Sequence, residues 1–336
     1  MARRRARHPL GLSALSASFA IREDRPDAPV FASHPLHGQD RAWPETNCYV
    51  DLWIELLHHR GLVPEAMLGF TLRQDFEGDQ FTFFKPSMAE IEALYGLRLD
   101  ELAIYDGLER HAVIQAARGN VVLVEVDAIF LPDTAGTTYG REHSKTTIGI
   151  LAIDKAGRRL DYLHNAGRFT LEGADYDGIF AETTLPPYAE FVRPVADPVL
   201  AGRLPAVALD LLRANLSGAP NHNPVKGFAS ALGEIGDGLV VRPLSVFHKY
   251  AFNTTRQLGA NFEMLGSHLA WLTATGAGDF SAAAEAATRL GSEAKAFQFQ
   301  LARAFAKRSA VGLPQRLDKA TETYDEVFGA LRDALA

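Results

Sequence analysis

Val121-Val-Leu-Val-Glu-Val-Asp127 followed by a long polar stretch and a second β-branched run, Ser144 to Asp154, is the feature that most restricts the fold. Gly119-Asn120 launches the first run, and its near-continuous apolar character marks a buried strand. The second run turns at Asp154-Lys-Ala-Gly157 into a partner strand, Arg158 to His164. The pattern is strand, loop, strand, tight turn, strand, which commits this part of the chain to an antiparallel sheet.

That hairpin orders the polar residues around it. His143 closes the loop at the head of the second strand. With Ile153 paired to Arg158, His143 lies beyond the open end, beside Asn165 to Arg168, while Asp154 is roughly 35 Å away along the strand. Asp161 is intermediate. Asn165, in Tyr162-Leu163-His164-Asn165-Ala166-Gly167, is therefore the residue expected to orient the His143 imidazole; a single bulge would put His164 in its place, and Asp161 stays open as the alternative.

Cys48 is the only thiol among 336 residues. It stands where an irregular polar approach, Pro44-Glu-Thr-Asn47, meets an amphipathic stretch with apolar residues at Leu52, Trp53, Leu56 and Leu57, ended by Gly61. This spacing predicts a helix buried on one face with the cysteine at its start. Unpaired N–H groups and the helix dipole at that end favour a thiolate. Core packing of a small apolar side chain is the plain alternative.

The order of a cysteine at a helix start, a histidine at a strand head, and Asn or Asp at the end of the next strand resembles the papain-like cysteine-protease fold. Four strings carry a closer likeness: Thr46-Asn-Cys-Tyr-Val-Asp-Leu-Trp-Ile-Glu55, Asp75-Phe-Glu-Gly-Asp-Gln-Phe-Thr-Phe-Phe-Lys85-Pro, Leu131-Pro-Asp-Thr with Tyr139 and His143-Ser-Lys-Thr-Thr-Ile148, and Leu163-His-Asn-Ala-Gly167. Over Asn47 to Gly178 the chain resembles a bacterial family of unknown function that is similar to the N-terminal domain of butirosin biosynthesis protein H. That protein belongs to a class of papain-like acyltransferases fed by carrier-protein thioesters. The resemblance implies a Cys48, His143, Asn165 triad and a carrier-bound phosphopantetheine arm as the substrate carrier, with no cofactor bound. Papain-like enzymes place an oxyanion-hole glutamine shortly before the cysteine. Gln39 stands further upstream than that pattern, so Gln39 and Asn47 both compete for the role. Asp127, Tyr139, Arg141 and Lys145 flank His143 in sequence, and they read either as substrate contacts or as a polar loop over the sheet end.

The remainder of the chain adds an envelope to this centre. Hydrophobic residues make up 47% and charged residues 22%, with a net charge of −7 and no apolar run near the length of a membrane span. An acidic chain without a basic stripe points away from nucleic acid, and a lone cysteine fits a reducing cytoplasm. The opening Arg3-Arg4-Arg5 and the serine-rich stretch after it read as a loose tail instead of a secretory leader. Pro26, Pro29, Pro35 and Pro44 make an extended approach towards Cys48. Leu68 to Leu72 and Gln80 to Phe84 are expected as short strands, the acidic Asp75 to Gln80 as a solvated turn without calcium, Ser87 to Tyr95 as a helix opened by a Ser87/Glu90 capping box, and Leu108 to Arg118 as another helix. His58 and His59 read as helix-end residues, and no metal site is expected.

Prolines 186, 187, 194 and 198 mark a boundary near residue 195. Beyond it the periodicity becomes helical: Val199 to Leu216, Val225 to Leu232, Val246 to Leu272 with breaks, Ser281 to Leu290, Ser292 to Arg308 and Arg316 to Leu335. The expected organisation is α+β: a tail and approach segment over 1–35, a papain-like domain over 36–195 whose cysteine helix packs on an antiparallel sheet, and an all-helical domain over 196–336. The expected chemistry is attack by Cys48 on a thioester or amide carbonyl with His143 as base, the oxyanion held by the Cys48 N–H and Gln39 or Asn47, and transfer of an acyl or aminoacyl group from an acyl carrier protein to a small-molecule amine. A cysteine peptidase or amidase shares the first half of this chemistry. A non-catalytic binding protein on the same scaffold is the reading from a different class.

Overall fold

The β-branched runs form the centre of an antiparallel six-stranded sheet. The structure, a computed structural model, describes residues 31–181 and 187–336, so most of the expected tail lies outside the described residues. Its strands are β1 (Leu97–Glu101), β2 (Val121–Asp127), β3 (Lys145–Asp154), β4 (Arg159–His164), β5 (Gly167–Glu172) and β6 (Ala189–Pro194), in the order β1-β6-β2-β3-β4-β5. Helices α1 (Cys48–His59), α2 (Met88–Tyr95), α3 (Leu108–Ala117) and α4 (Gly173–Phe180) accompany the sheet. A helical region follows: α5 (Leu204–Ser217), α6 (Pro224–Val240), α7 (Leu244–Ala251), α8 (Gln257–Ala274), α9 (Ser281–Lys307) and α10 (Asp318–Leu335). The protein is thus α+β, with a sheet half and a helical half. Among the described residues no helix is long and apolar enough to cross a membrane.

Strand alternation sends the side chains of β2 and β3 to opposite covers. Val122, Val124, Ile148, Ile150 and Tyr162 pack under α3 and α4, whereas Val121, Leu123, Leu151 and Leu163 join α1 in a core that continues through α8, α9 and α10. Helix α1 is therefore buried all round and not on one face: every residue from Tyr49 to Leu57 is buried, because the sheet covers one side and the Pro64–Arg73 segment, itself packed on α5 and α8, covers another. Each fully buried Leu or Ile there contributes about 1.5–3 kcal/mol of apolar burial. Contact with the sheet is closest at Gly149, where an added Cβ would lie 2.8 Å from Leu52 Cδ1.

Trp43, just before α1, ties the two halves together. Its indole lies against Gly259 of α8, where a Cβ would come within 2.3 Å of Nε1, and Nε1–H donates to the Gly291 carbonyl of α9 at 2.9 Å. The Ala42 and Trp43 N–H groups donate to the Glu263 carboxylate at 2.9 and 2.8 Å.

Several local expectations change. Leu68 to Leu72 belongs to a 3-10 segment, Pro64–Arg73, because it is wedged between α5 and α8 with no strand edge beside it. Gln80 to Phe84 contributes a single bridge, Phe76 to Phe81. Ser87 precedes α2 without a side-chain cap, and the Glu90 carboxylate is engaged by Asn215 Nδ2 at 3.1 Å, so neither half of a capping box forms. The two helices expected over 281–308 are one, because Gly291 faces α8 at close approach and does not interrupt the turns. The hairpin pairs Asp154 with Arg159, and a bulge between Ile150 and Ala152 shifts the register so that Gly149 faces Leu163.

Candidate functional site

Cys48 is the first residue of α1, and the three residues before it are fixed from three directions. Asn47 caps the helix, its Oδ1 accepting from Val50 N–H at 3.0 Å while its Nδ2 donates to the Phe84 carbonyl at 3.0 Å. Asp51 accepts from Thr46 N–H at 2.9 Å and from Thr46 Oγ1 at 2.6 Å. Burial pushes the Asp51 carboxyl up, against the pull of His37 and the Thr46 hydrogen bonds. Arg256 ends a π-helical turn, Phe252–Arg256, and donates to the Thr46 carbonyl at 2.7 Å and the Glu45 carbonyl at 3.0 Å. Nothing in the composition of Phe-Asn-Thr-Thr-Arg signals a π turn, so sequence reasoning missed Arg256. The half-buried Cys48 thiol donates to Thr147 Oγ1 at 3.9 Å. Thr147 lies within the string around His143, but only the register shows that it faces the thiol.

His143 precedes β3, and its Nδ1 is 2.5 Å from Asp127 Oδ2 on the neighbouring β2. A carboxylate partner makes Nδ1 the protonated nitrogen and leaves Nε2 as an acceptor. Asp127 Oδ1 also accepts from Ile129 N–H at 3.2 Å and Ser144 N–H at 3.1 Å. Partial burial opposes ionisation of Asp127, but these hydrogen bonds hold its carboxyl below the usual value. The imidazole is 80% exposed, and Arg141 to Lys145 are all exposed.

These groups lie along one line of the sheet. Thr147, under the cysteine, stands opposite Glu125, and Lys145 opposite Asp127; Lys145 Nζ pairs with Glu125 Oε1 at 2.7 Å. His143 is four residues before Thr147, about 13 Å of extended chain, and no hydrogen bond joins it to Cys48. His143, Asp127 and Lys145 instead line an open cleft of about 820 Å³ together with Tyr105, Phe130 and Phe180.

The remaining expected residues are placed elsewhere. Asn165 sits in the turn between β4 and β5 at φ 45°, and no hydrogen bond links it to His143, whose partner is Asp127. Gln39 is exposed on a turn of the approach segment. Asn47 is close to Cys48, but both ends of its amide are engaged. Tyr139 donates to Asp175 Oδ2 at 2.9 Å and so fastens the loop to α4. Asp161, the other candidate partner for the histidine, is bound to Thr170 Oγ1 at 2.7 Å and Arg168 at 3.1 Å.

The bulge in β3 accompanies a second polar cluster that includes His164. Its Nδ1 is 2.6 Å from Asp133 Oδ2 and its Nε2 2.8 Å from Thr146 Oγ1, while Tyr162 donates to Asp133 Oδ1. Burial, then the Asp133 charge, raises the Tyr162 hydroxyl. Thr146 and Thr147 are consecutive strand residues on opposite faces, so this buried cluster is separated from Cys48 by the sheet and anchors the 128–144 loop from beneath. Among the described residues no group of His, Cys, Asp or Glu side chains is arranged to hold a metal ion.

A search of curated proteins found no match to the chain. Protein-family profiles match twice: the DUF1839 N-terminal domain over residues 32–194 and the DUF1839 C-terminal domain over residues 201–333. Neither is the N-terminal domain of butirosin biosynthesis protein H, and the likeness to that protein rests on the sequence strings alone. The two matches follow one another along nearly the whole chain, and the protein therefore belongs to the DUF1839 family, a family of unknown function.

Proposed function

We propose that the protein is a cysteine-nucleophile acyltransferase on a papain-like scaffold. The observation that supports this most is the Asp127–His143 pair, which stands at the head of the two strands under Cys48 and leaves the histidine Nε2 free as a base. Asp127 is then the orienting residue, and Asn165 a turn residue. No hydrogen bond joins His143 to Cys48, so this reading requires the exposed stretch Arg141 to Ser144 to bring the imidazole to the thiol in the substrate complex. The base takes the thiol proton, the thiolate attacks the acyl carbonyl, and the donor's thiol or amine leaves with that proton. The Cys48 N–H, at the start of α1, is the nearest oxyanion donor. Attack by an amine completes transfer; attack by water completes hydrolysis.

The choice of a carrier-bound phosphopantetheine thioester as donor, a small amine as acceptor and the cytoplasm as location rests on the resemblance of the sequence strings and on composition. The cleft beside His143 has the volume of a small-molecule site, but Leu108, Val126 and Ile179 in its lining belong to the sheet face opposite α1, so it supports a site at the histidine and not at the thiol. A second reading, a non-catalytic binding protein, is favoured by one observation: the Cys48 thiol is engaged by Thr147 and not by a histidine. The experiment is to incubate the protein with acylated carrier proteins and follow free carrier thiol, then add primary amines. Amide formation supports transfer, free acid alone supports the hydrolase, and an unchanged thioester pool across the panel supports the binding protein.

A further inference from the structure

A second cleft, of about 360 Å³, lies at the seam between the sheet half and the helical half, away from the Asp127–His143 pair. Two of its lining groups are carboxylates held only by neutral donors. Glu190, 7% exposed, accepts from Tyr188 Oη at 2.6 Å and Tyr49 Oη at 3.1 Å. Glu90 accepts from Asn215 Nδ2 at 3.1 Å. Neither forms an ion pair with a described residue. Burial holds the Glu90 carboxyl above its usual value, against Asn215 and the charge of Arg73.

Two buried amides lining the same cleft repeat the imbalance. Gln74 donates from Nε2 to the Gln257 carbonyl at 2.9 Å, and Asn215 donates from Nδ2 to the Glu90 carboxylate. Only an amide nitrogen can make those bonds, so the opposite ends are carbonyl oxygens. Gln74 Oε1 and Asn215 Oδ1 have no hydrogen-bond partner among the described residues, although the residues are 4% and 0% exposed. An unpaired buried acceptor is costly, and two carboxylates and two amides along one cleft call for donors that also bring positive charge. Water satisfies the amides and the Arg73 charge acts on Glu90, but Glu190 has no cationic partner among the described residues.

At the mouth the sign reverses. Arg73 and Lys85 are exposed, line the cleft and make no ion pair among the described residues; the Lys85 ammonium lies 5.4 Å from the centre of the Tyr49 ring. We infer that this cleft is a binding site for a small zwitterion, a free amino acid whose ammonium enters between Glu90 and Glu190, beside Gln74 and Asn215, and whose carboxylate meets Arg73 and Lys85. The inference stands on the charge and hydrogen-bond layout of this cleft and needs no reaction at Cys48.

The test uses full-length Cys48→Ala, so thiol chemistry plays no part. Thermal unfolding and calorimetric titration are run with the proteinogenic amino acids, each beside its decarboxylated amine and its deaminated acid. Saturable binding of one or more amino acids is expected, with the matched amine and acid at least about tenfold weaker. Glu190→Gln is expected to weaken binding by about tenfold or more. Arg73→Ala, an exposed change that leaves the core untouched, is expected to weaken the amino acid while leaving the amine unchanged. No saturable binding at concentrations up to about 10 mM, an amine binding as tightly as its amino acid, or an equal effect of Arg73→Ala on both would overturn the inference. Failure of acyl transfer leaves this result unaffected.

Discussion

Replacing Asn47 separates a structural role from an oxyanion role. Its Oδ1 satisfies the Val50 N–H at the first turn of α1, and loss of such a cap costs about 1 kcal/mol, within a range of about 0.5–2 kcal/mol. Its Nδ2 satisfies the carbonyl of the buried Phe84, and a buried carbonyl left without a donor costs about 1–3 kcal/mol. Asn47→Ala removes both, so the expected loss is about 2–4 kcal/mol of unfolding free energy. Asn47→Ser keeps a capping oxygen and loses only the Phe84 bond, for about 1–3 kcal/mol. Urea unfolding followed by far-UV circular dichroism measures both, with an unchanged denaturant slope showing that the unfolded states are comparable. An Asn47→Ala protein within about 0.5 kcal/mol of the parent would refute the structural reasoning.

Gly259→Ala drives a Cβ into the Trp43 ring, displacing it from the Gly291 carbonyl and from Lys295, which lies 4.1 Å from the ring centre. The expected cost is about 1–3 kcal/mol with a red shift of tryptophan emission, and an unshifted spectrum would contradict it. His268 is buried, its Nδ1 bound to the Glu65 carbonyl at 2.7 Å, and burial lowers its pKa from 6.5 to about 4. Because the unfolded chain takes up the proton first, this stabilising contribution is complete above pH 6.5 and is lost as the pH falls towards 4. His268→Gln should therefore lose less stability than the parent over that interval, by up to about 3 kcal/mol, as read from urea midpoints; parallel pH profiles would contradict the assignment.

What the sequence made legible follows from how strongly each element signals its own surroundings. The cysteine helix and the pair β2 and β3 carry long apolar periodicity, and their positions follow from it. The edge strands β1 and β5 and the short β6 alternate charged and apolar residues, as in Arg98, Asp100, Glu190 and Arg193, and resemble loops until their partners are known. Leu68 to Leu72 shows the converse: an apolar run that fits a strand becomes a 3-10 segment because helices enclose it. At the site, proximity in sequence identified Asp127 and His143. It did not identify their pairing, because a bond across β2 and β3 depends on register. Nor did it identify Arg256, some two hundred residues from the cysteine it supports.

The burial of α1 from both sides carries a functional consequence. A helix enclosed by the sheet and by the Pro64–Arg73 segment holds Cys48 at a fixed position, while His143 lies in an exposed segment. The movable partner in the proposed chemistry is the base and not the nucleophile.

The most direct measurement is the intact mass of the purified protein after mixing with carrier proteins loaded with different acyl and aminoacyl groups, in parallel with Cys48→Ala and His143→Ala. The account predicts a mass increase equal to the transferred group in the parent, its absence in Cys48→Ala and slow formation in His143→Ala. No adduct and no release of free carrier across the panel, together with a Cys48 inert to iodoacetamide, would contradict it.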